Sequence, residues 1–261
     1  MNAAFDLGLL AQVEEAGINA SAPPEQRWVD GWLVRFSPGK AKRARCIQTV
    51  SPGRLPVEAK LARCLPIFAA AGLQPYLRIT PFSEPAGLDR QLADLGMVRI
   101  DETFVMVATG IARPRAVAAA SASSESMRIA PVTAAAFAEW IGQARGSTPA
   151  ERRAHKSRIT LAPVPHRPFL AFDAAGAAVA GGQTVVEGEV AGLYDIFTLA
   201  ARRGQGVAER LCRHLLQVAV DAGAKIAYLQ VDGANEPARR LYRRLGFEDA
   251  YTYHYRAAPE G

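Results

Sequence analysis

The segment DIFTLAARRGQGVAERL holds the residues with the most definite chemical meaning. An apolar, strand-like run passes into an amphipathic, helix-like run through Arg203, Gly204, Gln205, Gly206, Val207 and Ala208. At the start of a helix the first backbone N–H groups lack intrahelical partners, and the macrodipole adds about half a positive charge. Phosphate oxygens satisfy both. Glycines at 204 and 206 remove the β-carbons that would hold a pyrophosphate off the backbone, Ala208 keeps that clearance on the helix, and Arg203 adds charge beside it. A nucleotide-hydrolysing loop needs Lys and then Ser or Thr after the second glycine, where Val207 and Ala208 stand instead. A dinucleotide fold needs a third small residue where Glu209 stands, and parallel strands around it. The turn therefore either suits a phosphorylated ligand of another kind or is simply a tight strand-to-helix connection.

Two further groups have the spacing or setting for chemistry. Asn235 and Tyr242 lie seven residues apart, about two helical turns, so one ligand can meet both. A Tyr there can protonate a leaving group or pack beside Leu241 and Leu245; the two roles are compatible. Asp195 shares a strand face with Leu193 and Phe197, an apolar setting that, if it buries the carboxyl, raises its pKa and suits it to accept a proton; an Asp so placed is more often hydrogen-bonded structurally or faces solvent. Gln230, on the strand before Asn235, cannot take one. His155, His166, His214 and His254 share no spacing, and Cys46, Cys64 and Cys212 form no Cys-x-x-Cys or Cys/His pattern. No metal site and no disulfide framework is expected, and a reducing cytoplasm suits such cysteines.

The elements that must position these residues are legible from periodicity. MRIAPVT reads as a strand and AAAFAEWIGQA as a helix, and PFLAFDAAGAAVAGGQTVVEGEVAGLYDIFTL reads as three antiparallel strands reversing at 174–176 and Gly188. From Gly206 to Ala222, Val207, Leu211, Leu215, Val218, Ala219 and Ala222 recur at three- and four-residue steps, which predicts an amphipathic helix ending at Gly223. KIAYLQV then reads as a buried strand. Asn235 caps a second helix with Pro237 in its first turn and Gly246 at its end.

At 261 residues, with 49% apolar and 21% charged, the chain is long enough for two cores and is far from disordered composition. The net charge of +6 favours polyanions, yet no nucleic-acid recognition signature accompanies it. No apolar run reaches the roughly 18 residues of a bilayer span, and the first twenty residues lack Lys and Arg, so no leader or membrane partner is expected. An Ala/Ser-rich stretch at 109–126 predicts a linker at 111–126, between a domain at 1–110 and one at 127–261. The halves repeat: AGLQPYLRITPFSEPAGLDRQLADLGM from Ala71 parallels AGAKIAYLQVDGANEPARRLYRRLGF from Ala222 as strand, Glu-Pro, helix, Leu-Gly. By that alignment VDGWLVRFSPGKAKRARCIQTV is a hairpin of strands and PVEAKLARCLPIFAAAG the counterpart of the helix after Gly206.

RRGQGVA resembles the Arg/Gln-x-x-Gly-x-Gly/Ala coenzyme motif of the GNAT superfamily of N-acetyltransferases, and NEPARRLYRRLGF its Asn, Tyr and Leu-Gly-Phe signature, over residues from about 128 to 256. The resemblance implies an α/β (α+β) fold, a mixed, mostly antiparallel sheet flanked by helices, here duplicated in tandem as in two-module bacterial members. It implies acetyl-CoA as cosubstrate and an amine of a small molecule or peptide as acceptor. The backbone of Ile196, Phe197 and Thr198 would pair with the pantetheine arm, and Arg203, Gly204, Gln205, Gly206, Val207, Ala208 and Glu209 would surround the pyrophosphate. Asn235 would hold the arm's amide, and Tyr242 would protonate the departing thiolate. Some members carry a basic Glu where this chain has Gln230, which leaves Asp195 or a water chain as proton acceptor. A noncatalytic acyl-CoA sensor or assembly module is the alternative. In the N-terminal half Pro52, Leu55 and Pro56 stand at the positions of Arg203, Gly206 and Val207, so one coenzyme site is expected per chain, as monomer or homodimer.

Overall fold

The computed structural model describes residues 1–2, 4–112 and 127–259; residues 113–126 of the expected linker lie outside the described residues. Helix α1 (Leu7–Ala20) leads into strands β1 (Gln26–Val29) and β2 (Trp32–Arg35), a 3-10 turn at Lys42–Ala44, and the short β3 (Ile47–Gln48). Then come α2 (Val57–Ala70), β4 (Tyr76–Ile79), α3 (Leu88–Asp94) and the long β5 (Val98–Thr109). The second half follows the same plan with β6 (Arg128–Pro131), α4 (Ala134–Ala144), α5 (Pro149–Leu161), β7 (His166–Phe172), β8 (Ala178–Glu187) and β9 (Val190–Thr198). It ends with α6 (Val207–Asp221), β10 (Ile226–Asp232), α7 (Glu236–Arg244) and β11 (Glu248–Ala257). No helix among the described residues is long and apolar enough to cross a membrane.

The eleven strands of the described residues join one sheet in the order β1-β2-β3-β4-β11-β5-β10-β9-β8-β7-β6. The same pairings occur twice: β2 with β3 and β8 with β9 are antiparallel, whereas β3 with β4 and β9 with β10 are parallel. A parallel pair needs a crossover, and α2 and α6 supply the two. The last strands are exchanged. β5 lies against β10, β11 lies against β4, and the two pair with each other at the centre. Each half's sheet is thus completed by the other half's final strand.

The strand and helix boundaries expected between β6 and β11 agree with those observed to within a residue or two. Helix α6 buries Leu211, Cys212, Leu215 and Ala219 against the sheet beside Leu229 and Phe247. A buried leucine contributes roughly 1.5–3 kcal/mol relative to an exposed one, so this stripe holds the helix down. A separate core of Trp32, Ile47, Phe68, Leu77 and Leu92 does the same for α2 and α3. Helix α5 escaped the periodicity reading because its mean hydropathy is low; its sequence signal is the capping box Thr148-Pro-Ala-Glu151, in which the Thr148 side chain accepts from the Glu151 N–H.

Candidate active site

Strands β9 and β10 pair in register only from Ile226↔Val190 to Leu229↔Leu193, although β9 continues to Thr198 and β10 to Asp232. Beyond that point they splay. The cause lies in β9, where Gly181 faces Phe197 but Gln183 faces Tyr194, so the strand carries one extra residue. Asp195 sits in that bulge with φ 52°, a left-handed conformation that Asp tolerates better than most residues. Phe197 and Thr198 remain paired with β8 on one side, and residues 196–198 are unpaired with β10 on the other, leaving a backbone edge along a notch.

A cavity of about 480 Å³ opens at this notch. The splayed ends of β9 and β10 line it with Asn235 and Tyr242 of the capped helix, Arg145, His155 and Arg158 of α4–α5, and Lys42 and Arg43 of the N-terminal half. Spacing brought Asn235 and Tyr242 together as expected. Asn235 caps α7 through its Oδ1, which accepts from the Ala238 N–H at 3.2 Å. Tyr242 is buried, its ring edge-on to Phe247, and no side chain among the described residues hydrogen-bonds its hydroxyl. Burial pushes its phenol well above the ordinary value, and nearby Cys212 adds to the shift. It is a protonated donor at neutral pH.

The apolar setting expected to raise the Asp195 pKa is not what surrounds it. Oδ1 accepts from Arg145 at 2.7 Å; Oδ2 accepts from Gln183 at 2.7 Å and lies 3.1 Å from His155 Nε2, with Arg158 at 3.8 Å. Burial pulls the pKa up, but the hydrogen bond and charge of His155 and the charges of Arg145 and Arg158 outweigh it. They hold the carboxyl well below the usual range. Asp195 is an ionised anchor rather than a ready base. The partners that decide this come from α4 and α5, 37 to 50 residues away in sequence, so strand-face periodicity could not reveal them.

The turn after β9 is open. Gly204 and Gly206 both have φ 75°, and a β-carbon built at either meets nothing within 4 Å. Gly206 begins α6 without a side-chain cap, and the first bond across the boundary is Arg210 N–H to the Gly206 carbonyl. The amides ahead of it in the first turn therefore have no side-chain acceptor, the condition for holding an anion. Val207 and Ala208 lie against the core below α6, while Arg203 donates to the Thr198 carbonyl at 3.3 Å and stands over Phe197. Gln205 folds back on the Ala201 carbonyl, and Glu209 pairs with Arg213 at 2.9 Å.

Gln230 accepts from Arg43 Nη1 and from the Tyr253 hydroxyl, each at 2.9 Å. Its side-chain oxygen is thus already engaged by Arg43 of the N-terminal half and Tyr253 of β11. Sequence reasoning missed Arg43, Arg145 and His155, because only the chain's folding brings the 3-10 turn, α4 and α5 to the notch.

Residues 136–247 match the Acetyltransferase (GNAT) family, and this stretch is a GNAT acetyltransferase domain. An uncharacterized N-acetyltransferase of Bacillus subtilis (strain 168), YobR, is 27% identical over 234 residues, covering 88% of this chain and 91% of its own. A GCN5-related N-acetyltransferase from Kribbella flavida has the same fold over 98% of both chains, with a TM-score of 0.66 at 19% identity. A tandem GNAT protein from the clavulanic acid biosynthesis pathway is similar over 83% of this chain and 76% of its own, with a TM-score of 0.59 at 15% identity.

Proposed function

We propose that the chain moves an acetyl group from acetyl-CoA directly to a primary amine of a small molecule or peptide, at one site per chain within residues 127–261. The observation that carries this reading is the notch: β9 and β10 part after Leu193 and Leu229 beside a cavity that contains Tyr242 and Asn235. The exposed edge of Ile196, Phe197 and Thr198 takes the pantetheine amides by strand-like pairing. The open turn, with Arg203, Gly204, Gln205, Gly206, Val207, Ala208 and Glu209, surrounds the pyrophosphate, and Asn235 holds an amide of the arm.

The amine nitrogen forms a bond to the thioester carbonyl carbon and the carbon–sulfur bond breaks. Tyr242 donates its phenolic proton to the departing sulfur, which discourages the reverse attack. The amine must lose its own proton. Ionised Asp195 orients His155 and stabilises the imidazolium, so the Asp195–His155 pair is the acceptor, with Asp195 acting through His155. Residues 1–110 form a degenerate second module of the same fold that lends Arg43 to the cavity wall.

Isothermal titration with acetyl-CoA, followed by acetylation assays across amines and peptides, tests the proposal. Binding with turnover supports it. Binding without turnover on any amine would instead support the acyl-CoA sensor, and no binding would remove the coenzyme site altogether.

A further inference from the structure

A second cavity, about 530 Å³, lies in the N-terminal half between α1, β2 and the ends of β3 and β4. That is within the range of small-molecule sites, about 300–1,000 Å³. Four charged side chains line it. Glu14 and Arg78 form a buried ion pair that also takes the Tyr251 hydroxyl at 2.7 Å, so these two neutralise each other. Glu15 is exposed to solvent. Arg35 is different.

Arg35 is 1% exposed, and no carboxylate lies within ion-pair distance of it among the described residues. Its Nε donates to the Gln26 side-chain oxygen at 3.1 Å and its Nη2 to the Ile18 carbonyl at 2.9 Å, both neutral acceptors. Its Nη1 is buried with no partner. Burial pushes the guanidinium down to about 10; the charges of Arg78 and Arg158 act in the same direction, and Cys46 and the Glu14 carboxylate, which is shared with Arg78, oppose it without cancelling the shift. Even so it stays cationic at neutral pH. An uncompensated buried charge is costly, and the usual remedy is an anion brought beside it.

The remaining wall is largely apolar, with Ile18, Leu33 and Phe82 inside and Trp28 at 61% exposure. A single guanidinium in such walls matches a monoanion; a phosphate dianion would bring more charge than the site can balance. Coenzyme A is excluded for a separate reason. The amides of Arg54 and Leu55, which would correspond to those of the open turn, already hold the Asp30 carboxylate at 2.8–3.1 Å. We propose that this cavity is a second ligand site, which binds a monocarboxylate with an apolar or aromatic body, its carboxylate neutralising Arg35.

Titration of the whole chain with 3-phenylpropionate and, separately, with 3-phenylpropanamide tests this. The acid should bind about tenfold or more tightly than the amide, the difference a charge-assisted hydrogen bond makes. Arg35→Gln should abolish the preference, and Arg43→Gln, which alters the other cavity, should leave it intact. If Arg35→Gln does not fold, Trp28→Ala at the exposed mouth should weaken acid and amide by a similar factor. Equal affinity for acid and amide, no binding of either, a preference that survives Arg35→Gln or one that vanishes in Arg43→Gln would each overturn the assignment.

Discussion

The two halves place a strand-to-helix turn at matching points, after β3 and after β9, and treat it in opposite ways. After β9, glycines at 204 and 206 leave open space, and the first turn of α6 has no side-chain cap. After β3, the Asp30 carboxylate accepts from the Arg54 and Leu55 amides, and Lys60 donates to the Pro52 carbonyl and pairs with Asp30 at 3.5 Å. A β-carbon at Gly53 would collide with Asp30 and Lys60. The backbone just past β3 is also engaged, because the Glu84 N–H donates to the Thr49 carbonyl at 2.8 Å. One turn leaves its amide donors without a side-chain acceptor, and the other satisfies them with a carboxylate of its own chain. A carboxylate from within the chain can satisfy the backbone donors that a similar turn elsewhere in the same fold leaves open.

Blocking the open turn should have the largest effect. Gly206→Trp places a bulky side chain at φ 75°, and acetyl-CoA affinity should fall by about a hundredfold or more, measured by titration with circular dichroism to confirm the fold. The parent should bind one equivalent per chain; two equivalents would show that the N-terminal turn is not retired and break the comparison. Tyr242→Phe should lower kcat by about a hundredfold, the usual scale for removing a general acid, with little change in coenzyme affinity. Unchanged kcat would take Tyr242 out of the mechanism.

Asp195→Asn should act on stability and on the acid side of the pH profile. The native carboxyl titrates below its unfolded value of about 3.9, so its stabilisation is present above that pH and is lost as pH falls through the native value. The variant should lose on the order of 2 kcal/mol at neutral pH and show a flatter acid limb in denaturant titrations. A parallel loss of kcat/KM would report the unsupported His155, and His155→Gln should reproduce it. Smallest of all, Asp30→Asn should lower the melting temperature slightly, because charged acceptors become neutral ones, and should leave coenzyme binding unchanged. A gain of a second coenzyme equivalent in that variant would sharpen the comparison further, since it would show that Asp30 alone keeps the N-terminal turn closed.

Much of this protein was determined by sequence on its own. The hydrophobic period of 211, 215 and 219, the Gly-rich turn, the Asn235–Tyr242 spacing and the strand, Glu-Pro, helix, Leu-Gly repeat are local patterns, and local patterns depend on residues within a few turns or strands of each other. They located β6 to β11 and the turn after β9. Tertiary structure alone decided the exchange of β5 and β11, which is a choice between chemically similar strand edges, and it alone brought Arg43, Arg145 and His155 to the notch. It also chose between the readings open for Asp195, a raised pKa or a structurally hydrogen-bonded carboxylate: the strand face is apolar in sequence, but a carboxylate's pKa follows the charges within a few ångströms, and here they arrive from α4 and α5. Charges summed over space, unlike periodicity, cannot be read along a chain.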